Sequence, residues 1–200
     1  WVLAAVFVYI AWLLLSAAYR LYFRITVRRR LAYIDNYEWP DGLIDKLSAR
    51  HPDLTSRDTD LITKGLKQFF RAYLRSGRQY VAMPSRAADD LWHEFILYTR
   101  AYQDFCRKAF GRFLHHAPAP VLVPEQKQSN EGLRRVWLQC CKDANIDPNN
   151  PAQLPLLFAL DGKLQIPNGI IYDLDGKRLR ASGMVVGQQC GVDGSSTGFF

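Results

Sequence analysis

Between Met83 and Pro118 the chain concentrates residue types that do chemistry. The stretch holds three of the four histidines, His93, His115 and His116, with Cys106, the adjacent pair Asp89-Asp90 and a Trp92-His93 dipeptide. On a helix, Asp89 and Asp90 lie one turn before His93 and on its side. A carboxylate so placed accepts a hydrogen bond from an imidazole N–H, the usual support of a metal-bound histidine or of a general base. His115 and His116 follow a helix-stopping Gly111, so a chain that folds back there brings one of them to His93. That gives a set of two histidines and a carboxylate suited to zinc or non-haem iron. The candidate metal ligands are therefore His93, His115, His116, Asp89 and Asp90, and the implied cofactor is Zn or Fe. The competing reading is structural: a histidine bonded to an aspartate pins the loop after Gly111 to the helix.

Other chemistry is thin. His93-Glu94-Phe95-Ile96-Leu97 begins like HExxH, but Leu97 replaces the second histidine, which excludes that zinc motif. No phosphate-binding glycine loop and no GxSxG turn is present. Asp161-Gly162-Lys163 and Asp173 to Lys177 lack the closing glutamate of a calcium loop and read as turns. His51 precedes a proline and reads as incidental. Cys140 and Cys141 point about 100° apart on a helix, so they do not chelate on one face and read as small core side chains. No catalytic residue is assigned, and the lack of a complete catalytic set favours a role other than enzymatic.

The elements that must position these residues read as mainly α. One helix is expected from Ser85 to about Phe110, with Ser85 as N-cap and Gly111 as stop. Thr55 caps another, whose Leu61, Ile62, Leu66, Phe69, Phe70, Tyr73 and Leu74 recur at helical spacing. A short helix is expected from Asp41 to Arg50, and a further one from Glu131 to Ala144, with Leu133, Val136, Trp137 and Cys140 inward. Leu154 to Leu160 fits helix or strand equally. Pro167-Asn168-Gly169 and Asp175-Gly176 mark turns of a small β or irregular segment, with a hairpin pairing Ile170–Tyr172 and Arg178–Arg180. Ala117 to Asn130 reads as a loop. The expected organisation is residues 1–34 as a transmembrane helix with a basic extension, 35–150 as a helical domain, 151–186 as the β or irregular segment and 187–200 as a flexible tail.

Trp1 to Tyr19 carries no charge, and such a run is about 28 Å long as a helix, close to a bilayer's hydrocarbon thickness. A signal peptide would carry its charges before the apolar run; here Arg20, Arg24, Arg28, Arg29 and Arg30 come after it, which favours a retained single span. Positive charge flanking a span stays inside, so the rest of the chain is expected to be cytoplasmic at the inner (plasma) membrane. Those five arginines also account for most of the net charge of +7, leaving +2 elsewhere. The high pI thus argues for lipid headgroups at the membrane interface and against nucleic acid.

One motif resembles a known family. Met83-Pro84-Ser85, then Asp89, Asp90, Trp92 and His93, then Tyr102 and Cys106, then Phe110, Gly111, Phe113, His115 and His116, is similar to the core of glycine-rich domain-containing proteins and their uncharacterised bacterial relatives. Relatives often carry a second histidine two positions after the first, where this chain has Phe95. Gly191 to Phe200 resembles the start of their Gly- and Cys-rich ends. The resemblance implies no established reaction. Together these features lead to the expectation of a membrane-anchored accessory or assembly subunit that contacts the bilayer and other membrane protein subunits. The alternative is a metal-binding enzyme or sensor domain built on His93, His115 and His116.

Overall fold

The computed structural model describes residues 1–116, 131–175 and 178–181. The chain is mainly helical: α1 Val2–Asp35, α2 Leu43–Arg50, α3 Ser56–Arg75, α4 Arg86–Leu97, α5 Thr99–Phe110, α6 Glu131–Ala144 and α7 Leu156–Lys163, then strands β1 Tyr172–Asp175 and β2 Arg178–Ala181. The segment Ala117 to Asn130, expected to be a loop, and the expected tail after Gly187, with Cys190, lie outside the described residues.

α1 is long and apolar enough to cross a membrane. Its 34 residues contain neither Pro nor Gly, and make a rod about 50 Å long. The outer part is apolar around its circumference, and Phe7, Trp12, Leu14, Leu15 and Tyr22 all stand exposed. Only the end of α1 enters the globular part, where Ile34 is fully buried and Tyr33 lies against Phe105. The end of α1 is held from outside: Lys67 Nζ donates to Asp35 O, the last carbonyl of α1, at 2.9 Å and to Tyr37 O just beyond it at 2.8 Å.

α3 runs through the middle and packs on α4, α6, α7 and the end of α1. Its start is a capping box: Thr55 Oγ1 accepts from Asp58 N, and the Asp58 carboxylate accepts from Thr55 N at 3.0 Å. Ile62, Leu66, Phe69 and Phe70 bury its inner face. Leu154 to Leu160, undecided from its apolar run, becomes α7 with Leu157, Phe158 and Leu160 buried against α3. The β segment is a hairpin of Tyr172↔Ala181 to Asp175↔Arg178 register, two or three residues further along its first strand than expected. Tyr172 anchors it edge-on to Phe158, which in turn meets Trp137. Cys140 and Cys141 are core residues as expected; burial raises both thiols, Cys141 to about 12.

The expected single helix from Ser85 to Phe110 is broken. Tyr98 adopts ψ 61° and separates α4 from α5. Tyr98 N still donates to Phe95 O, and its hydroxyl donates to Asp41 O at 3.2 Å. The break has an energetic reason. In a straight helix Phe95 and Phe105 stand about 15 Å apart along the axis. Folded at Tyr98, their rings lie 5.4 Å apart and Phe95 meets Tyr102 at 5.2 Å, both edge to face. The apolar stripe that one long helix would spread along its length is thus gathered into one core.

Candidate metal centre

The fold-back at Tyr98 decides where the segment after α5 goes. In a continuous helix Phe110 would sit about 25 Å beyond His93. Instead α5 returns alongside α4 and Gly111, at φ 72°, turns the chain out of the helix. A short relay then fixes the loop. Trp92 Nε1 donates to Tyr102 Oη at 3.1 Å, and Tyr102 Oη donates to Leu114 O at 2.5 Å. Burial pushes the Tyr102 phenol far up, so it keeps the proton that this bond needs. Two residues later His116 lies edge-on to Trp92, ring centroids 4.6 Å apart.

His116 Nε2 is 3.0 Å from Asp89 Oδ1, and His93 Nδ1 is 3.7 Å from Asp89 Oδ2. The two imidazoles face each other at 4.3 Å between centroids. One ligand atom from each of Asp89, His93 and His116 falls within 4.8 Å of the others. Donors bound at about 2.0–2.1 Å to a tetrahedral ion stand about 3.3 Å apart. His116 lies 3.0 Å from one Asp89 oxygen and His93 lies 3.7 Å from the other, so the three side chains must draw together from their 4.8 Å spread to share one ion. Asp89 and His116 are half-buried while His93 is 41% exposed, which leaves one side open to solvent. Two neutral imidazoles and one carboxylate are hard-to-borderline donors that suit Zn or Fe(II) rather than a soft ion. Three protein ligands also leave a position for water or another molecule.

Two of the five candidate ligands are placed elsewhere. Asp90, one residue on from Asp89 and so about 100° round α4, faces α2 and the residue after it. Its Oδ1 accepts from Arg50 Nη1 at 3.0 Å and its Oδ2 is 3.0 Å from His51 Nε2. Arg50 Nη2 also donates to Glu94 Oε1 at 2.6 Å, so the buried Asp90 and Glu94 are bridged by one guanidinium from α2. His51, which the sequence reading set aside, therefore has a defined partner. His115 points outward and lies against Phe113, 4.7 Å between rings. Cys106 is buried in α5, its thiol raised mainly by desolvation, and is no part of the cluster.

The residue that positions the cluster from behind is Asp161, only 1% exposed. Its Oδ1 accepts from Ser85 Oγ at 2.7 Å and Ala87 N at 3.2 Å; its Oδ2 accepts from Arg86 N at 2.7 Å and Ile170 N at 2.8 Å. Ser85 Oγ in turn accepts from Ala88 N. The first turn of α4, three residues before Asp89, is thus held by a carboxylate on α7. Gly169 makes the approach possible: a Cβ there would lie 2.8 Å from Asp161 Cβ and 2.9 Å from Ile166 O. The Asp161-Gly162 dipeptide, read from sequence as a turn, is a helical cap for a distant element.

No curated protein and no solved structure matches the chain. A family model described as UCP032817-like matches residues 29–193, most of the chain and all of the cluster, and the chain belongs to that family.

Proposed function

We propose that this member of the UCP032817-like family is a membrane-anchored domain that binds one transition-metal ion, zinc or ferrous iron, through Asp89, His93 and His116. The observation that carries the reading is the convergence of these three side chains, from two separate segments, with one ligand atom of each within 4.8 Å of the others. The relay from Trp92 through Tyr102 to Leu114 supports it, because it fixes the loop bearing His116 as a metal ligand requires. The open side at His93 suits a site where water or a substrate completes the coordination, as in catalytic and sensory metal centres. α1 serves as a single span of the inner (plasma) membrane, with Arg20 to Arg30 at the cytoplasmic headgroups and the domain on that side. Asp89, His93 and His116 are among the motif residues that carry the likeness to glycine-rich domain-containing proteins. A role in assembly with other membrane proteins draws on the span, the near-neutral aromatic domain and the lack of a complete catalytic set in the sequence, and the metal reading draws on the clustered side chains as well.

The test is elemental analysis of the full chain purified in mild detergent without chelator, beside His93→Ala, His116→Ala and His115→Ala. The expected result is about one ion per chain, lost in the first two variants and kept in the third. Metal-free wild-type protein that also fails to take up added Zn or Fe(II) sinks the proposal. So does retention of the ion in both cluster variants.

A further inference from the structure

A second group of side chains has chemistry left unspent. Arg30 Nη1 donates to Phe110 O at 2.7 Å, and Arg78 Nη1 donates to the same oxygen at 3.0 Å. Arg112 follows Phe110 by two residues, and its charge and that of Arg78 both act on the Tyr73 phenol. Gly111 leaves the space this convergence needs, since a Cβ at its φ of 72° would lie 2.5 Å from Arg30 Nη2. Three guanidinia from α1, the turn after α3 and the loop after α5 thus meet at one end of α5.

One or two donors to the Phe110 carbonyl cap the helix and answer its dipole. Three full positive charges exceed that need. Five other arginines of the domain meet carboxylates, Arg50 with Asp90 and Glu94, Arg71 and Arg75 with Asp143, Arg107 with Asp104 and Arg135 with Glu131, while Arg57 and Arg100 stand exposed at the surface. Among the described residues, Arg30, Arg78 and Arg112 make no ion pair, and each guanidinium carries five N–H donors. A planar fork of donors without a carboxylate matches the oxygens of a phosphate.

The position of the group selects the source of that phosphate. About twenty helical residues fill a hydrocarbon core, so a span beginning at Leu3 ends near Phe23, which is still exposed. Arg30 lies about 10 Å further along the axis, and its side chain, leaning back toward the start of the helix, carries the guanidinium toward the headgroup layer. α5 runs back toward the bilayer, because Phe105 lies against Tyr33 while Phe110 lies at Arg30. Its end is therefore the domain's membrane-facing tip.

We propose that Arg30, Arg78 and Arg112 bind the phosphate of an anionic phospholipid headgroup and so dock the domain on the bilayer. This rests on the reading of α1 as a membrane span and is independent of the metal centre. The test is native mass spectrometry of the full chain in mild detergent with equal phosphatidylglycerol and phosphatidylcholine. Wild type is expected to retain phosphatidylglycerol preferentially. The R78Q/R112Q double variant is expected to lose about tenfold of that retention, R78K/R112K to recover part of it, and R107Q to match wild type. Circular dichroism checks that the glutamine variant is folded; if it is not, the lysine pair is compared directly with wild type and must retain less. Equal retention of the two lipids overturns the proposal, as does equal loss in R107Q, or occupancy by added inorganic phosphate without lipid preference. Alkaline extraction of native membranes tests the span separately: release of the wild-type chain refutes the anchor rather than the arginine site.

Discussion

Asp161→Ala and Asp161→Asn will destabilise the fold by different amounts, and the difference follows from the bond pattern. Alanine removes all four acceptor contacts and leaves the Arg86, Ala87 and Ile170 N–H groups and the Ser85 hydroxyl without their partner. Orphaned donors cost about 1–3 kcal/mol each when buried, less where water reaches them, as it can at Arg86 and Ile170, so the total is about 3–5 kcal/mol. Asparagine can place its carbonyl where Oδ2 was, keeping Arg86 N and Ile170 N, and turn its NH₂ toward Ser85 Oγ. The 3.2 Å bond from Ala87 N is then lost and the bond to Ser85 Oγ is reversed, along with loss of a negative charge at the start of α4, and the cost falls to about 1–2 kcal/mol. The assay is urea unfolding of the full chain in mild detergent, followed by the fluorescence of buried Trp92 and Trp137. Metal affinity measured on the same variants should fall in the same order, since Asp89 and His93 ride on α4. Equal destabilisation by the two substitutions, or a loss below about 1 kcal/mol for alanine, would refute the assignment of Asp161 as a cap.

Further outcomes follow from the same structure. Gly169→Ala should cost about 1–3 kcal/mol, because its Cβ meets the Ile166 carbonyl and the Asp161 side chain; thermal unfolding reads it. Tyr102→Phe removes the bonds to Leu114 O and from Trp92 Nε1, and should lower stability by about 1–2 kcal/mol and weaken metal binding, measured by titration with zinc. With Cys190 replaced by serine, the folded chain should resist alkylation at pH 8, because Cys106, Cys140 and Cys141 are buried and their thiols raised; rapid labelling without denaturant counts against it. Stability should decline on alkaline titration: Cys141 and Tyr37 are held up to about 12 by burial, so the unfolded chain releases their protons first. The urea midpoint therefore falls as pH rises from the ordinary thiol and phenol ranges toward about 12.

Local signals carried much of the helix pattern. Thr55 and Asp58 close a capping box within one turn, and the spacing of Ile62, Leu66, Phe69 and Tyr73 selects the buried face of α3 without reference to any partner. The break at Tyr98 is different in kind: neither Pro nor Gly marks Leu97 to Thr99, and the chain bends because Phe95, Tyr102 and Phe105 gain contacts that only tertiary packing supplies. The candidate site depended on that break. Helical spacing placed both aspartates near His93, but choosing Asp89 over Asp90 required knowing that α2 and the residue after it present Arg50 and His51 to Asp90. His116 rather than His115 was selected in the same way, by the seat against Trp92. Asp161 was invisible as a cap because its bonds reach Ser85, 76 residues earlier in the chain. The guanidinium group at Phe110 likewise joins three segments that no sequence window contains.

α1 passes from its exposed apolar part into the globular core as one helix without Pro or Gly. Its last turn is gripped by Lys67 and by the Arg71–Asp35 pair, with Ile34 fully enclosed. Such a junction has no swivel. Where α1 is set in a bilayer, the span and the domain form a single lever, and any roll or inclination of the span is transmitted undiminished to the histidines above it. The lipid or protein that orients the span then also sets the azimuth from which a ligand can approach His93.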